Sequence, residues 1–395
     1  MISLFGVFAI LLVCWLISKD RKSINWYTIF SGLILQIALA FFILKSSLGQ
    51  IIFQKISDCI IALIHLSGKG GEFAFGSLYN SPTNEFIFAF KVTPAIIFIS
   101  ALVSVLYFMG IMHPFLKATS WLLHKLMGVS GAEALANIAS AFVGQVESAL
   151  PLRPYFSRLS QAQFFSIMVG GMSTMSAALL ATYASLGIPS QYLLTANLMG
   201  IPGGLIIAKL IWPSVQGENS ELLPEPEKTE AANLMDAAVH GAQEGLKISL
   251  GVISMVIAFV SLVALVDMLL ANFKITLSAI FGILLFPVAI LMGAPLEDSH
   301  LIASLLGQKL ALNEFVAYLD LSNKMKLCDL SPNSLLIASF SLCGFANFGS
   351  VAIQLGAFSQ MLPERRSEFA QMGILAMIGG ALSSCLSACL AHLFL

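Results

Sequence analysis

Apolar residues run along this chain in uninterrupted blocks rather than in one-sided stripes, and short polar or Gly- and Pro-containing joints separate the blocks. A helix that crosses the hydrocarbon of a bilayer needs about 20 such residues. Eight blocks meet that length or approach it: Ile2–Ser18, Ile24–Leu44, Phe86–Met112, Ala162–Leu186, Tyr192–Pro213, Ile248–Ala271, Ser334–Gly356 and Phe369–Leu395. The first has no basic residue ahead of it and is followed at once by Lys19, Arg21 and Lys22. It therefore reads as a retained helix with its N-terminus outside, not as a signal peptide.

Three further apolar stretches have a different pattern. Gly49–His65 sets Gln50, Gln54, Lys55 and Asp58 on one stripe and Phe53, Ile56, Ile60 and Leu63 on the other, the signature of a helix lying in the membrane interface. His113–Met127 aligns Lys117, Ser120 and His124 in the same way, and Leu277–Met292 is apolar enough either to lie flat or to span. With eight crossings, twelve basic residues fall on the side that holds Lys19 to Lys22 and seven on the other. This bias places both termini outside and the Glu- and Pro-containing stretch Ser214–Thr229 in the cytoplasm.

Composition agrees. Of 395 residues, 58% are hydrophobic and 10% charged, the mean hydropathy is +0.89 and the net charge is -1. A soluble domain carries roughly 25% charged residues, so lipid is the solvent of most of this surface. The neutral balance excludes a nucleic-acid partner, which requires a concentrated basic footprint. Cysteines 14, 59, 328, 343, 385 and 389 show no metal-binding spacing, and the six histidines are scattered. A metal- or nucleophile-dependent enzyme is therefore disfavoured, and no cofactor is expected.

A weak repeat carries more information. IASAFVGQ at Ile138–Gln145 returns as IASLLGQ at Ile302–Gln308, and an acid comes after each copy, Glu147 and Glu314. Each copy sits between a flat apolar helix and a Gly-interrupted span, GGMSTMS at Gly170–Ser176 and CGFANFGS at Cys343–Ser350. Because the first unit begins inside and the second outside, the copies are inverted, the pattern of secondary transporters with a site near the midplane. Glu133–Pro154 and Glu297–Asp320 are too short and too polar to cross. They read as hairpins that enter and return, which membranes tolerate only where protein or a watery cavity satisfies the backbone. A carboxylate at the bilayer centre costs at least ~2.5 kcal/mol, so Glu147 and Glu314 become candidate ligand-facing groups.

These motifs, with GQVE at 144–147 and NEFVAY at 313–318, resemble the concentrative nucleoside transporters, to which bacterial nucleoside permeases belong, over essentially the whole chain. The resemblance implies an all-α polytopic membrane protein with eight transmembrane helices, three interfacial helices, two re-entrant hairpins and an inverted repeat. The corresponding parts are 1–112 (N-terminal transmembrane and scaffold helices), 113–213 (first repeat), 214–247 (polar linker) and 248–395 (second repeat). It further implies a homotrimer in a bacterial inner membrane that imports nucleosides by elevator-like motion. Gln145 and Glu147 match positions that contact the nucleobase; Glu314, Asn347 and Ser350 match those that hold the ribose hydroxyls; Leu179 and Phe345 match apolar lining positions. Val146 stands where many relatives have Thr or Ser, which removes one hydroxyl contact to the base. Ser140 and Thr174 stand where sodium-coupled members have Asn and Ser. This departure favours proton coupling through Glu147 or Glu314, although the two hydroxyls and nearby carbonyls leave a weak sodium site open. An uncoupled gate built on the same hairpins is the remaining alternative.

Overall fold

A computed structural model describes residues 2–79, 87–214, 231–327 and 330–394, and among them every regular element is helical. Residues 215–230 of the proposed linker, including Lys228, lie outside the described residues, as does Cys328. The N-terminal part comprises α1 (Ile2–Leu16), α2 (Trp26–Leu44), α3 (Ser47–Phe75) and α4 (Phe88–Phe108). Next comes a unit of α5 (Met112–Met127), α6 (Gly131–Ser140) with the 3-10 segment Glu147–Arg158, α7 (Gln161–Ser173), α8 (Ala177–Ser185) and α9 (Ser190–Ile211). After α10 (Leu234–Leu270) come α11 (Leu277–Leu284), α12 (Phe286–Leu291), α13 (Leu296–Ala311), α14 (Glu314–Leu327), α15 (Pro332–Leu342), α16 (Phe348–Met361) and α17 (Arg366–His392).

Six of the described helices are long and apolar enough to cross a membrane: Trp26–Leu44, Ser47–Leu78, Ala89–Phe108, Gln161–Ser185, Ser190–Ile211 and Pro363–His392. This set differs from the sequence blocks in informative ways. Where the pattern predicts a flat helix over Gly49–His65, α3 continues through Gly70 and Gly71 to Phe75, and its length alone would allow a crossing. Leu277–Met292, by contrast, is too broken to span, because the chain leaves helical geometry at Leu285, ahead of Pro287, and divides into α11 and α12. The block Ile248–Ala271 is the end of a 37-residue helix that begins within the predicted linker. At 1.5 Å per residue α10 is about 55 Å long, well beyond a hydrocarbon core of about 30 Å.

Local chemistry explains the helix starts. Asn25, Ser46, Asn233, Thr276 and Ser331 each accept a hydrogen bond from a backbone N–H in the first turn. Ser130 and Glu133 cap each other reciprocally at α6, as do Ser160 and Gln163 at α7, which satisfies N–H groups that lipid cannot. The large apolar residues of α1 and α2, such as Phe5, Phe8, Phe30 and Ile34, point outward. Their inward faces mix aliphatic residues such as Ile10, Ile29 and Ile43 with small or polar ones such as Ser3, Gly6, Thr28 and Gly32, and Gln36 of α2 donates to Met199 O of α9 at 2.9 Å and to Ser387 Oγ of α17 at 3.2 Å.

The centre of the molecule is formed by α7, α9, α15 and α17, whose facing residues are buried almost without exception. Glycines allow the close approach. A Cβ on Gly200 would lie 2.3 Å from Ser173 O, and one on Gly380 would lie 2.7 Å from Met172 Cβ. At one edge of this centre Lys209 of α9 forms a buried ion pair with Glu133 of α6.

Breaking a buried pair strands a charge at a cost of about 3–5 kcal/mol. Lys209→Met should therefore lower the thermal unfolding temperature in detergent sharply, and Glu133→Gln with Lys209→Met should recover most of the loss. A double variant as unstable as the single one would show that the pair itself is not what matters.

Candidate functional site

Two helices of the centre are interrupted, and the interruptions touch. Between α7 and α8 the chain is extended at Thr174, and between α15 and α16 it turns through Gly344, whose φ of +94° lies in the left-handed region that favours glycine. A Cβ on Gly344 would sit 2.5 Å from Met172 O and 2.8 Å from Ser173 C. Backbone that would be unsatisfied in lipid is thus concentrated at one crossing point, together with the side chains that serve it.

At that point a continuous hydrogen-bond chain joins both units. Tyr183 of α8 donates its hydroxyl to Glu314 Oε1 at 3.1 Å, and Asn347 donates Nδ2 to Glu314 Oε2 at 2.8 Å. Asn347 is also the N-cap of α16, with Oδ1 accepting from Ser350 N at 2.8 Å. Gln145 donates to Ser350 Oγ at 3.3 Å, and Gln354 donates to Gln145 Oε1 and to Met168 O, each at 3.2 Å. Glu314 is 5% exposed and Gln145 8%, so a charged acceptor and an amide that both donates and accepts lie within one buried cluster. Such a set suits a ligand with vicinal hydroxyls at one end and a polar heterocycle edge at the other.

Gln145, Glu314, Asn347 and Ser350 of the sequence-derived set belong to this chain of contacts. Leu179 and Phe345 are buried, at 7% and 8% exposure. Val146 is half-buried and Glu147 is exposed, at the start of the 3-10 segment. The Glu147 carboxylate folds back over Gly144, where a Cβ would lie 2.7 Å from Oε2 and where φ is +124°. Ser140 and Thr174 meet through their hydroxyls at 2.7 Å, and each also has a helix carbonyl to donate to, Asn137 O at 2.8 Å and Gly170 O at 3.1 Å.

Sequence reasoning missed four contributors. Tyr183 orients Glu314, and Gln354 orients Gln145. Asn197 of α9 holds the first interruption, accepting from Met175 N at 2.8 Å and donating to Met175 O and Ala141 O at 3.1 and 3.0 Å. Lys309 of α13 reaches the second. A signal existed for Gln354, which lies seven residues after Asn347 and four after Ser350 and so shares their helix face.

Family models of the "Na+ dependent nucleoside transporter" match residues 5–78 with the N-terminal model and 192–392 with the C-terminal one, and a "Nucleoside recognition" gate model matches 89–190. The chain belongs to the concentrative nucleoside transporter family. That is a family of membrane transporters, not of enzymes. The transporter YutK of Bacillus subtilis is 39% identical over 99% of this chain and 98% of its own length. Nucleoside permease NupC of Helicobacter pylori is 34% identical over 100% of this chain and 97% of its own. Among solved structures, the transporter CNTnw in an inward-facing substrate-bound state superposes with a TM-score of 0.95 at 36% identity, covering 100% of this chain and 98% of that one.

Within the transporter's cluster, Gly171 lets Gln354 and Gln145 approach: a Cβ there would lie 2.8 Å from Gln354 Nε2 and 3.0 Å from Gln145 Cβ. Gln354→Leu keeps most of the volume and removes the donor. Losing about one net hydrogen bond on the Gln145 amide should weaken nucleoside binding about tenfold. Calorimetry on the purified protein checks this, and binding within twofold of wild type would show that Gln354 does not set Gln145.

Proposed function

We propose that this protein is a secondary active symporter that imports nucleosides at the expense of a cation gradient, and that the cation is the proton. The observation that carries the reading is the buried chain from Glu314 through Asn347 and Ser350 to Gln145. A ribose 2′,3′-diol donates to the Glu314 carboxylate, which Tyr183 and Asn347 hold in orientation. Gln145 addresses the base edge, Glu147 closes over the exposed side, and Leu179, Val146 and Phe345 line the flat faces. Enclosing an apolar ring between such groups while fixing its polar edges is the usual arrangement of a small-molecule site.

Proton coupling is supported by the Ser140–Thr174 pair. Two neutral hydroxyls, bonded to each other and to helix carbonyls, stand where the resemblance places an amide oxygen and a serine for sodium, so the site lacks its strongest oxygen ligand for the ion in the name of the matching family model. Glu147 and Glu314 are the carboxylates available to carry a proton. In this reading the described helices form eight spans, three interfacial elements and two re-entrant hairpins, α6 with its 3-10 segment and α13 with α14. The two repeats are inverted and both termini lie outside in a bacterial inner membrane. The division at 1–112, 113–213, 214–247 and 248–395, assembly as a homotrimer and an elevator-like motion belong to the same proposal. The motion is in keeping with CNTnw, whose variants have been solved in outward-facing and intermediate states.

Proteoliposomes decide among the drivers. Uptake of labelled uridine, adenosine and guanosine should require an inward proton gradient, collapse with a protonophore and survive replacement of sodium. Glu314→Gln should reduce accumulation about 100-fold, the scale expected when one partner of a buried charged hydrogen bond is removed. Uptake that tracks sodium instead would identify the other coupling ion, and equilibration indifferent to both gradients would identify an uncoupled gate.

A further inference from the structure

Lys309 is fully buried, yet none of its three hydrogen-bond partners among the described residues is a carboxylate. Its Nζ lies 2.8 Å from Cys343 O, 2.9 Å from Ser341 O and 3.0 Å from Ser384 Oγ of α17. The Ser384 hydroxyl donates its own proton to Cys343 O at 2.6 Å or Gly380 O at 3.1 Å, so it accepts from the lysine. All three partners are therefore acceptors. An ammonium has three N–H groups and no lone pair, whereas a neutral amine has only two. With the Ser384 proton on a carbonyl, the three acceptors match the three N–H groups of an ammonium, a charge inside the centre of a membrane protein, where charges are rare and mark function.

The position of that charge is specific. Ser341 lies in the last turn of α15 and Cys343 is its C-cap, so their carbonyls belong to the electronegative end of a helix that stops in mid-protein. Gly344, Phe345 and Asn347 come directly after, while Glu314 succeeds Lys309 on its own hairpin, across the turn at Leu312 and Asn313. One side chain thus ties the element that presents Glu314 to the element that presents Asn347, and these two side chains meet at 2.8 Å. The interruption in the first unit has no such charge among its described contacts, since the neutral amide of Asn197 holds it.

We propose that Lys309 is a positioning residue, a tethered cation that fixes the second interruption against hairpin α13–α14 and so keeps Glu314 and Asn347 in register for the nucleoside. The proposal rests on the reading that these two residues hold the ligand, and the test separates the two claims. Uridine and adenosine binding to the full-length protein in detergent is measured by calorimetry, alongside thermal unfolding. Lys309→Met, which retains the stem and bulk, should stay folded and bind at least tenfold more weakly, and Ser384→Ala, which removes one acceptor, should bind several-fold more weakly. Lys309→Ala should lose binding and regain it, saturably, with propylammonium but not with trimethylpropylammonium, which has no N–H. Glu314→Gln should lose binding and should not respond to either amine.

Binding by Lys309→Met or by Ser384→Ala within twofold of wild type would overturn the role of Lys309. So would propylammonium that raises the unfolding temperature of Lys309→Ala without restoring binding, since that is the behaviour of a merely structural lysine. If Glu314→Gln binds normally, the fault lies in the site reading itself.

Discussion

The contact of Gly344 with the backbone of Met172 and Ser173 is the constraint on which the rest of the centre depends. Each interrupted helix exposes N–H and C=O groups that a bilayer cannot solvate, and bringing the two interruptions together collects that unmet demand in one place. Every polar side chain nearby can then be understood by what it supplies. Asn347 caps α16, Asn197 closes both sides of the bend at Met175, and Lys309 terminates α15. Glu314, in turn, is held by donors from both units rather than by a counter-ion in direct contact.

The ionisable groups of the buried region obey one logic. Glu133 and Lys209 neutralise each other at the edge of the centre and join α6 to α9. Glu314 and Lys309 sit on the same hairpin but turn to different partners, the acid toward side-chain donors and the base toward carbonyls. A direct pair would have consumed the carboxylate. Keeping them apart leaves Glu314 with neutral side-chain donors alone, while the lysine is occupied by backbone carbonyls and a hydroxyl.

Much of this is legible in the chain, for identifiable reasons. CGFANFGS contains a Gly that only a turn needs and an Asn that caps the next helix, so the second interruption is visible as local chemistry; GGMSTMS marks the first only by its small and polar run, since its two glycines lie within α7 and Ser176 makes no side-chain cap. The apolar blocks mark α2, α4, α9 and α17 because lipid imposes a uniform requirement on length. Partners distant in sequence are not legible: nothing near Tyr183 announces Glu314, and nothing near Lys309 announces Ser384. The extent of α3 is hidden because Gly70 and Gly71 look like punctuation, yet Gly71 faces Tyr79 and Pro94 and sits within the helix as a close-packing position.

The bonds from Gln36 to Met199 and Ser387 have a mechanical meaning for the N-terminal helices. An amide bridge inside lipid has no water to substitute for its partners, so it does not slip. Ser3, at the other end of this pair of helices, is likewise bonded to His392 at 2.5 Å and to Met292 O at 3.2 Å. Helices α1 and α2 are therefore fastened to α9 and α17 as one body, and a shift of either central helix would carry both of them with it.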